Sequence, residues 1–226
     1  MLSILFGYIR VNNLLHVILI AAFSIICSVN VGVYAQNSIF TSTSDTSGVQ
    51  SIDNFNEDEK NLIRIIKKSD SLAEKDNNHA YSLLLDNKPL FNGGNIKDEL
   101  RADYLHTYGK ILVNSRRYRD GLDTLVLALE LKKKVYGLND TELARTYNYI
   151  GIAKFGLRDY EEALNSYLKS VEILTSNSLY GIELFDAYLN IGIVKASLGN
   201  YEMAFTYFEK ASSIIEQTGE TDFLAL

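Results

Sequence analysis

The stretch YNYIGIAKFGLRDYEEALNSYLKSVEIL, Tyr147 to Leu174, returns forty-one residues later as YLNIGIVKASLGNYEMAFTYFEKASSII, Tyr188 to Ile215, with eleven of twenty-eight aligned positions identical. A fixed period in this range marks one supersecondary unit repeated along the chain. A single unit of this kind cannot bury its apolar face alone and must stack on its neighbours. A weaker copy stands forty-two residues upstream, with Leu105, Tyr108, Gly109, Tyr118, Gly121, Leu125 and Ala128. A degenerate fourth precedes it: Leu62, Ile65, Ile66 and Leu72 fall at helical spacing, and Ala80, followed by Leu83 and Leu84, lies forty-one residues before Gly121.

Within the unit, Tyr147, Ile150, Ile152 and Phe155, with Gly151 and Ala153 small between them, fit a helix better than an alternating strand. The pattern breaks at GLRDY. Asp159 is expected to cap a second helix, with Glu162 reaching back to the cap amide, and Ala163, Leu164, Tyr167 and Val171 share one face of it. Two helices joined by so short a turn run antiparallel and pack on each other. Gly151 and Ala163 recur as Gly192 and Ala204, the small positions where the helices are expected to cross, while Tyr160 and Tyr201 are expected to fill the space beside the turn. Glycine inside a helix costs about 1 kcal/mol relative to alanine, so its return at one register points to close packing that offsets the cost. The chain has one Pro, at position 89, which leaves nearly all of it free to be helical.

The pattern aromatic, two residues, aliphatic, Gly, eight residues, Tyr, two residues, Ala, three residues, aromatic reads here as Tyr147, Ile150, Gly151, Tyr160, Ala163, Tyr167. It reads again as Tyr188, Ile191, Gly192, Tyr201, Ala204, Phe208. It resembles the tetratricopeptide repeat, or TPR. The common repeat is about 34 residues, and the longer period here is similar to that of kinesin-light-chain-type arrays. The resemblance covers Glu57 to about Thr218, strongly in the last two units. It implies an all-α fold of antiparallel helix pairs stacked into a right-handed α-solenoid, and a protein or peptide partner bound on the concave wall made by the first helix of each unit.

Counted from the repeat register, the residues facing that groove are Asp103, His106, Lys110, Val113 and Asn114; then Arg145, Asn148, Tyr149, Ile152 and Phe155; then Asp186, Leu189, Asn190, Ile193 and Ser197. Partner contact is expected at His106, Lys110, Asn114, Arg145, Asn148, Ile152, Phe155, Asn190 and Ile193, with Asn148 and Asn190 able to bond a peptide backbone because a side-chain amide both donates and accepts. The two-carboxylate clamp of the family for chaperone tails departs from this pattern: the first unit has His106 and Lys110 and the third has Asp186 and Asn190. An acidic chaperone tail is not the expected partner. Repeat positions expected to be structural are Gly109, Tyr118, Gly151, Tyr160, Ala163, Gly192, Tyr201 and Ala204.

The first thirty-five residues hold no Asp or Glu and one Arg, and Leu14 to Ala35 is apolar almost throughout. This predicts a targeting segment with Val33 and Ala35 before a cleavage point at Gln36, or, uncleaved, a membrane anchor. Cys27 follows Ile26 rather than a small residue, which argues against lipid attachment. Cleavage would remove the single cysteine and shift the formal charge from −6 to −7 through loss of Arg10, leaving no disulfide and no electrostatic footprint for nucleic acid. Residues 36–56, rich in Ser, Thr, Asn and Asp, read as a spacer. Residues 57–95 read as the degenerate unit, 96–218 as three repeats, and 219–226, ETDFLAL after Gly219, as the start of a further helix or a stub cap.

No phosphate loop, G-x-S-x-G or H-E-x-x-H is present, and NGGN at 92–95 reads as a turn. After cleavage only His79 and His106 remain, without acidic partners at ligand spacing, so neither a metal nor another cofactor is expected. Glu161 and Glu162 in a first helical turn, and the lysines of LKKK at 131–134 near a helix end, are accounted for by the helix dipole. The sequence therefore predicts an exported, periplasmic or extracellular, non-catalytic interaction scaffold. The alternative is the periplasmic sensory portion of a larger signalling protein, a histidine kinase or DNA-binding regulator; an enzyme is disfavoured. Oligomeric state has no sequence signature here.

Overall fold

The computed structural model describes residues 55–88, 91 and 96–218. The targeting segment, most of the spacer, the NGGN turn and the segment 219–226 lie outside the described residues. Eight helices are present among the described residues: α1 Glu57–Leu72, α2 Asn77–Asp86, α3 Asp98–Asn114, α4 Tyr118–Tyr136, α5 Glu142–Gly156, α6 Tyr160–Ser176, α7 Ile182–Ser197 and α8 Tyr201–Thr218. None of them is long and apolar enough to cross a membrane. They pair as α1/α2, α3/α4, α5/α6 and α7/α8, and each second helix also packs on the first helix of the next pair. This is an all-α repeat solenoid.

The crossings depend on residues without bulk. A Cβ on Gly151 would collide with the Tyr167 ring, and one on Gly192 would collide with the Phe208 ring. In α3/α4 the approach is closer to the backbone: a Cβ on Gly109 would lie 2.6 Å from Leu125 Cγ, and one on Gly121 would lie 3.2 Å from the Gly109 carbonyl oxygen. Ala163 and Ala204 are fully buried at the equivalent position of the second helices. Tyr118 lies across the boundary between units, against Gly156 of α5. Tyr160 is half-buried and packs on Phe155, ring centroids 5.4 Å apart. Tyr201 differs from expectation: it is 53% exposed, because no further unit follows it among the described residues.

The intra-pair turns are one device used three times. The amide of Arg117 bonds the Leu112 carbonyl and that of Arg116 the Val113 carbonyl, with Arg116 at φ 61°. The same bonds form around Arg158 (φ 68°) and Gly199 (φ 76°). These left-handed residues close Schellman motifs that satisfy the last carbonyls of each first helix. This closure also corrects the capping expected at Asp159. Its own amide is tied to the Lys154 carbonyl and its ψ is 65°, so its side chain makes no cap bond, and Glu162 instead pairs with Lys154 at 3.1 Å. A capping box exists elsewhere. Asn56, at ψ 171°, accepts from the Glu59 amide at 2.9 Å while Glu59 accepts from the Asn56 amide at 3.0 Å. Buried Glu59 also accepts from the Lys97 amide at 3.2 Å, tying α1 to the start of α3.

The LKKK segment is likewise more than a helix end. Lys132 is 2% exposed and pairs with Glu142 at 2.8 Å and Asp103 at 3.6 Å, linking α3, α4 and α5.

Two substitutions test this packing in opposite directions. Gly151→Ala forces the added methyl against the Tyr167 ring and is expected to cost about 1 to 3 kcal/mol in urea unfolding. Arg158→Gly relieves a left-handed conformation that a Cβ disfavours and is expected to stabilise by about 1 kcal/mol. Equal midpoints for both variants and the parent would contradict the crossing and turn geometry.

Candidate functional site

The first helices α1, α3, α5 and α7 lie side by side in order. Their inner face curves enough that side chains meet over an intervening helix. Arg145 of α5 reaches Asp70 of α1 at 3.8 Å, past α3, which lies between them. Asp70 also accepts from Lys110 of α3 at 3.0 Å. This is the concave wall, and the repeat period built it: Lys110 and Asp70 are forty residues apart, His106 and Thr146 forty, Asn148 and Asn190 forty-two.

At one end of the wall, Asn190 Nδ2 donates to Asn148 Oδ1 at 3.1 Å. That bond uses the acceptor of Asn148 and one N–H of Asn190, so the Asn148 amide nitrogen and the Asn190 amide oxygen are not engaged in it. Ile152, Phe155 and Ile193 border the amides and are all half-buried. Ile152 and Phe155 also pack against the core cluster of Ala163, Tyr167, Ile191 and Val194, so they give the groove one edge rather than a whole side chain.

The middle of the wall is ionic. Lys110, 1% exposed, is held by Asp70 and by Glu74 at 3.3 Å. Burial opposes its charge, but Tyr149, Asp70 and Glu74 outweigh that and hold the ammonium above its ordinary pKa. The Tyr149 ring centroid lies 5.8 Å from the Lys110 ammonium, and the His106 ring stands edge-on to Tyr149 at 5.8 Å. His106 is 6% exposed. Its Nδ1 is hydrogen-bonded with Thr146 Oγ1 at 3.0 Å. Burial, then the charges of Lys132, Arg145 and Lys110, push the imidazole pKa well down, so the ring is neutral, and its buried Nε2 has no hydrogen-bond partner among the described residues.

Asp186 on α7 is half-buried, and no hydrogen bond or ion pair reaches it among the described residues. Burial, then the like charges of Glu183 on its own helix and Glu74 from the first pair, raise its pKa to about 7, against a smaller opposing effect of Arg145.

These positions correct part of the expected contact set. His106 and Lys110 lie too deep to offer a partner more than the edge of a ring, because both are spent on tying neighbouring helices together. Val113 is also buried, at 2% exposure. Asn114, Arg145, Asn148, Ile152, Phe155, Asn190 and Ile193 remain partly accessible. Asp70, Glu74, Thr146 and Glu183 were not singled out in the sequence; Asp70 stands one period before Lys110, a relation hidden by how poorly the first unit matches the others. Among the described residues no group of His, Cys, Asp or Glu is placed to hold a metal.

Residues 100–176 match the family model described as Tetratricopeptide repeat, and residues 185–218 match a second model of the same description. No curated protein matches the chain. Among solved structures the chain is similar to aspartyl phosphate phosphatase F from Bacillus subtilis, with 15% identity and TM-score 0.63, covering 75% of this chain and 44% of that one. It is similar to the apo form of RapI, with 18% identity and TM-score 0.63, covering 76% and 62%. It is also similar to the nearly identical TPR-like repeats of a kinesin light chain from Podosopora anserina, with 11% identity and TM-score 0.60, covering 73% and 79%. The chain thus spans less than two thirds of the first two. At such identities the likeness is one of fold.

Asp186 provides a pH test. Its folded pKa, about 7, lies above the ordinary 3.8. The folded state therefore holds this proton more tightly than the unfolded state; the associated stability is fully present below about pH 4 and is lost as pH rises through about 7. Asp186→Asn removes the loss. Its urea midpoint should equal that of the parent at pH 4 and exceed it at pH 8; a variant weaker than the parent at pH 8 would mean that a cation pairs with the carboxylate.

Proposed function

Because the chain belongs to the tetratricopeptide repeat family, whose arrays are protein-interaction scaffolds, we propose that a peptide segment of a partner protein lies along the concave wall, held but not chemically altered. The observation that carries this reading is the Asn148–Asn190 pair. Two amides joined by one hydrogen bond leave a donor on Asn148 and an acceptor on Asn190, complementary to a backbone unit and indifferent to side-chain identity. The apolar edges of Ile152, Phe155 and Ile193 beside them would bury the side chains that flank that unit. Neither contact requires catalysis, a metal or a cofactor.

The test uses peptides selected from a random twelve-residue library on the full chain. Phe155→Ala combined with Asn190→Ala should weaken their binding by about ten-fold or more, consistent with loss of one backbone bond and one buried contact, while circular dichroism stays helical. Lys133→Ala with Lys134→Ala, on α4 away from the wall, should leave it unchanged. If the second pair mattered and the first did not, binding would lie on the outer helices.

We further propose export, supported by the apolar run from Leu14 to Ala35 and the small residues before Gln36. N-terminal sequencing of exported protein should start within a few residues of Gln36. Protein retained in the membrane with the intact N-terminus would mean that the run is an anchor.

A further inference from the structure

At the turn between α3 and α4 the surface opens into a cavity of about 290 Å³, lined by Arg116, Arg117, Tyr118, Arg119, Asp120 and Leu157. This is near the lower end of the roughly 300–1,000 Å³ range of small-molecule sites. Its charge is one-sided: three arginines against one aspartate leave two positive charges uncompensated. The aspartate is already committed. Asp120 Oδ2 accepts from Arg117 Nε at 2.9 Å and from Nη2 at 2.7 Å, while Arg117 Nη1 donates to the Tyr81 hydroxyl at 3.1 Å. That network neutralises Arg117 and fixes it in place. Arg116 and Arg119 are exposed, and among the described residues no hydrogen bond or ion pair reaches either side chain. Both guanidinium groups therefore keep all their donors, beside an apolar wall made by the half-buried Leu157 and by the Tyr118 ring, which is backed by Gly156.

The backbone gives a second, independent sign. Arg116 sits at φ 61°, in the left-handed region that a side chain disfavours, although the equivalent turn two pairs later is closed by Gly199. Arginine is thus kept where the fold alone would be better served by glycine, and strain of this kind gathers where a side chain has a role besides stability. Arg158, exposed and next to Leu157, repeats the left-handed arginine at the adjoining turn.

We propose that this turn pocket binds a phosphate monoester carried on a small apolar or aromatic body, with Arg116 and Arg119 on the phosphoryl oxygens and the body against Tyr118 and Leu157. The charge selects the ligand. Two uncompensated guanidinium groups match a dianion, which a monoester is above about pH 6, and their planar forks bind phosphoryl oxygens in pairs. A single carboxylate would leave one charge and several donors unmatched. The pocket is independent of the peptide groove proposed above.

The experiment titrates the full chain with phenyl phosphate by calorimetry. One saturable site is expected at about pH 7.5, with affinity falling several-fold at about pH 5 as the monoester takes up a proton. Benzoate, a monoanion of similar shape, should bind about ten-fold more weakly or less. Arg116→Gly with Arg119→Gln should weaken phenyl phosphate by about ten-fold or more; glycine suits φ 61°, so the turn is kept, and circular dichroism checks it. Arg116→Lys with Arg119→Lys should retain only part of the affinity, because lysine lacks the fork. Lys67→Gln with Lys68→Gln on α1, and Phe155→Ala with Asn190→Ala in the groove, should change nothing. Phosphatidylcholine vesicles containing phosphatidic acid present the same monoester as a lipid headgroup. Vesicle binding lost with Arg116→Gly and Arg119→Gln, in the absence of phenyl phosphate binding, would support the pocket and assign its ligand to a membrane surface. No saturable binding in either arm, binding indifferent to Arg116 and Arg119, or benzoate bound as tightly as phenyl phosphate would overturn the proposal and leave the groove reading standing.

Discussion

The solenoid depends on the contact, in the last three pairs, between a glycine of the first helix and the bulky side chain that covers it from the second: Gly109 under Leu125, Gly151 under Tyr167, Gly192 under Phe208. Without a Cβ, the first helix lets a large ring or branched chain lie flat on its backbone. The two axes come close, so the ring and the facing backbone pack in contact. The helix-propensity cost of each glycine is offset by burial of its partner; Tyr167 is 2% exposed. Because the contact recurs at nearly one period, each pair presents its first helix at the same angle to the next.

The wall follows from that regularity. Side chains one period apart on neighbouring first helices must meet, and the molecule uses this in two ways. On the groove floor, meeting side chains are locked: Lys110 with Asp70 and Glu74, His106 with Thr146. A buried cation loses several kcal/mol of hydration, so these pairs are worth little net energy but are costly to break, and they specify how one pair sits on the next. Toward the last pair the locking stops. The two asparagines share one hydrogen bond, and the effect of Arg145 on Asp186 is outweighed by burial and two like charges. The same geometry thus gives a sealed half and a half with unused bonding capacity.

Local closure is equally regular. The left-handed residue in the intra-pair turns of the last three pairs is Arg, Arg and Gly in order, so the chain tolerates strain at two of these turns. Tertiary contacts around the turn, among them Tyr118 against Gly156, hold the backbone there whatever residue occupies the position.

The sequence by itself determined the helix pairs, their order and the small residues at the crossings, because period, apolar spacing and glycine register are properties of the chain alone. It also put Asn148, Ile152, Phe155, Asn190 and Ile193 at one helical register, since register on a helix is countable. Burial along that strip was decided only by the tertiary structure. His106 and Lys110 occupy groove-facing register yet lie beneath the surface, because the curvature of the stack brings Asp70 over one of them and Thr146 beside the other. The cap expected at Asp159 failed for a similar reason: residue type favoured it, but the turn closure set its ψ. After burial and the nearby Glu183, a further part of the charge repulsion at Asp186 comes from Glu74, more than one hundred residues away in the chain. Only a fold that brings the first pair opposite the last could create it, and no pattern local to either segment could reveal it.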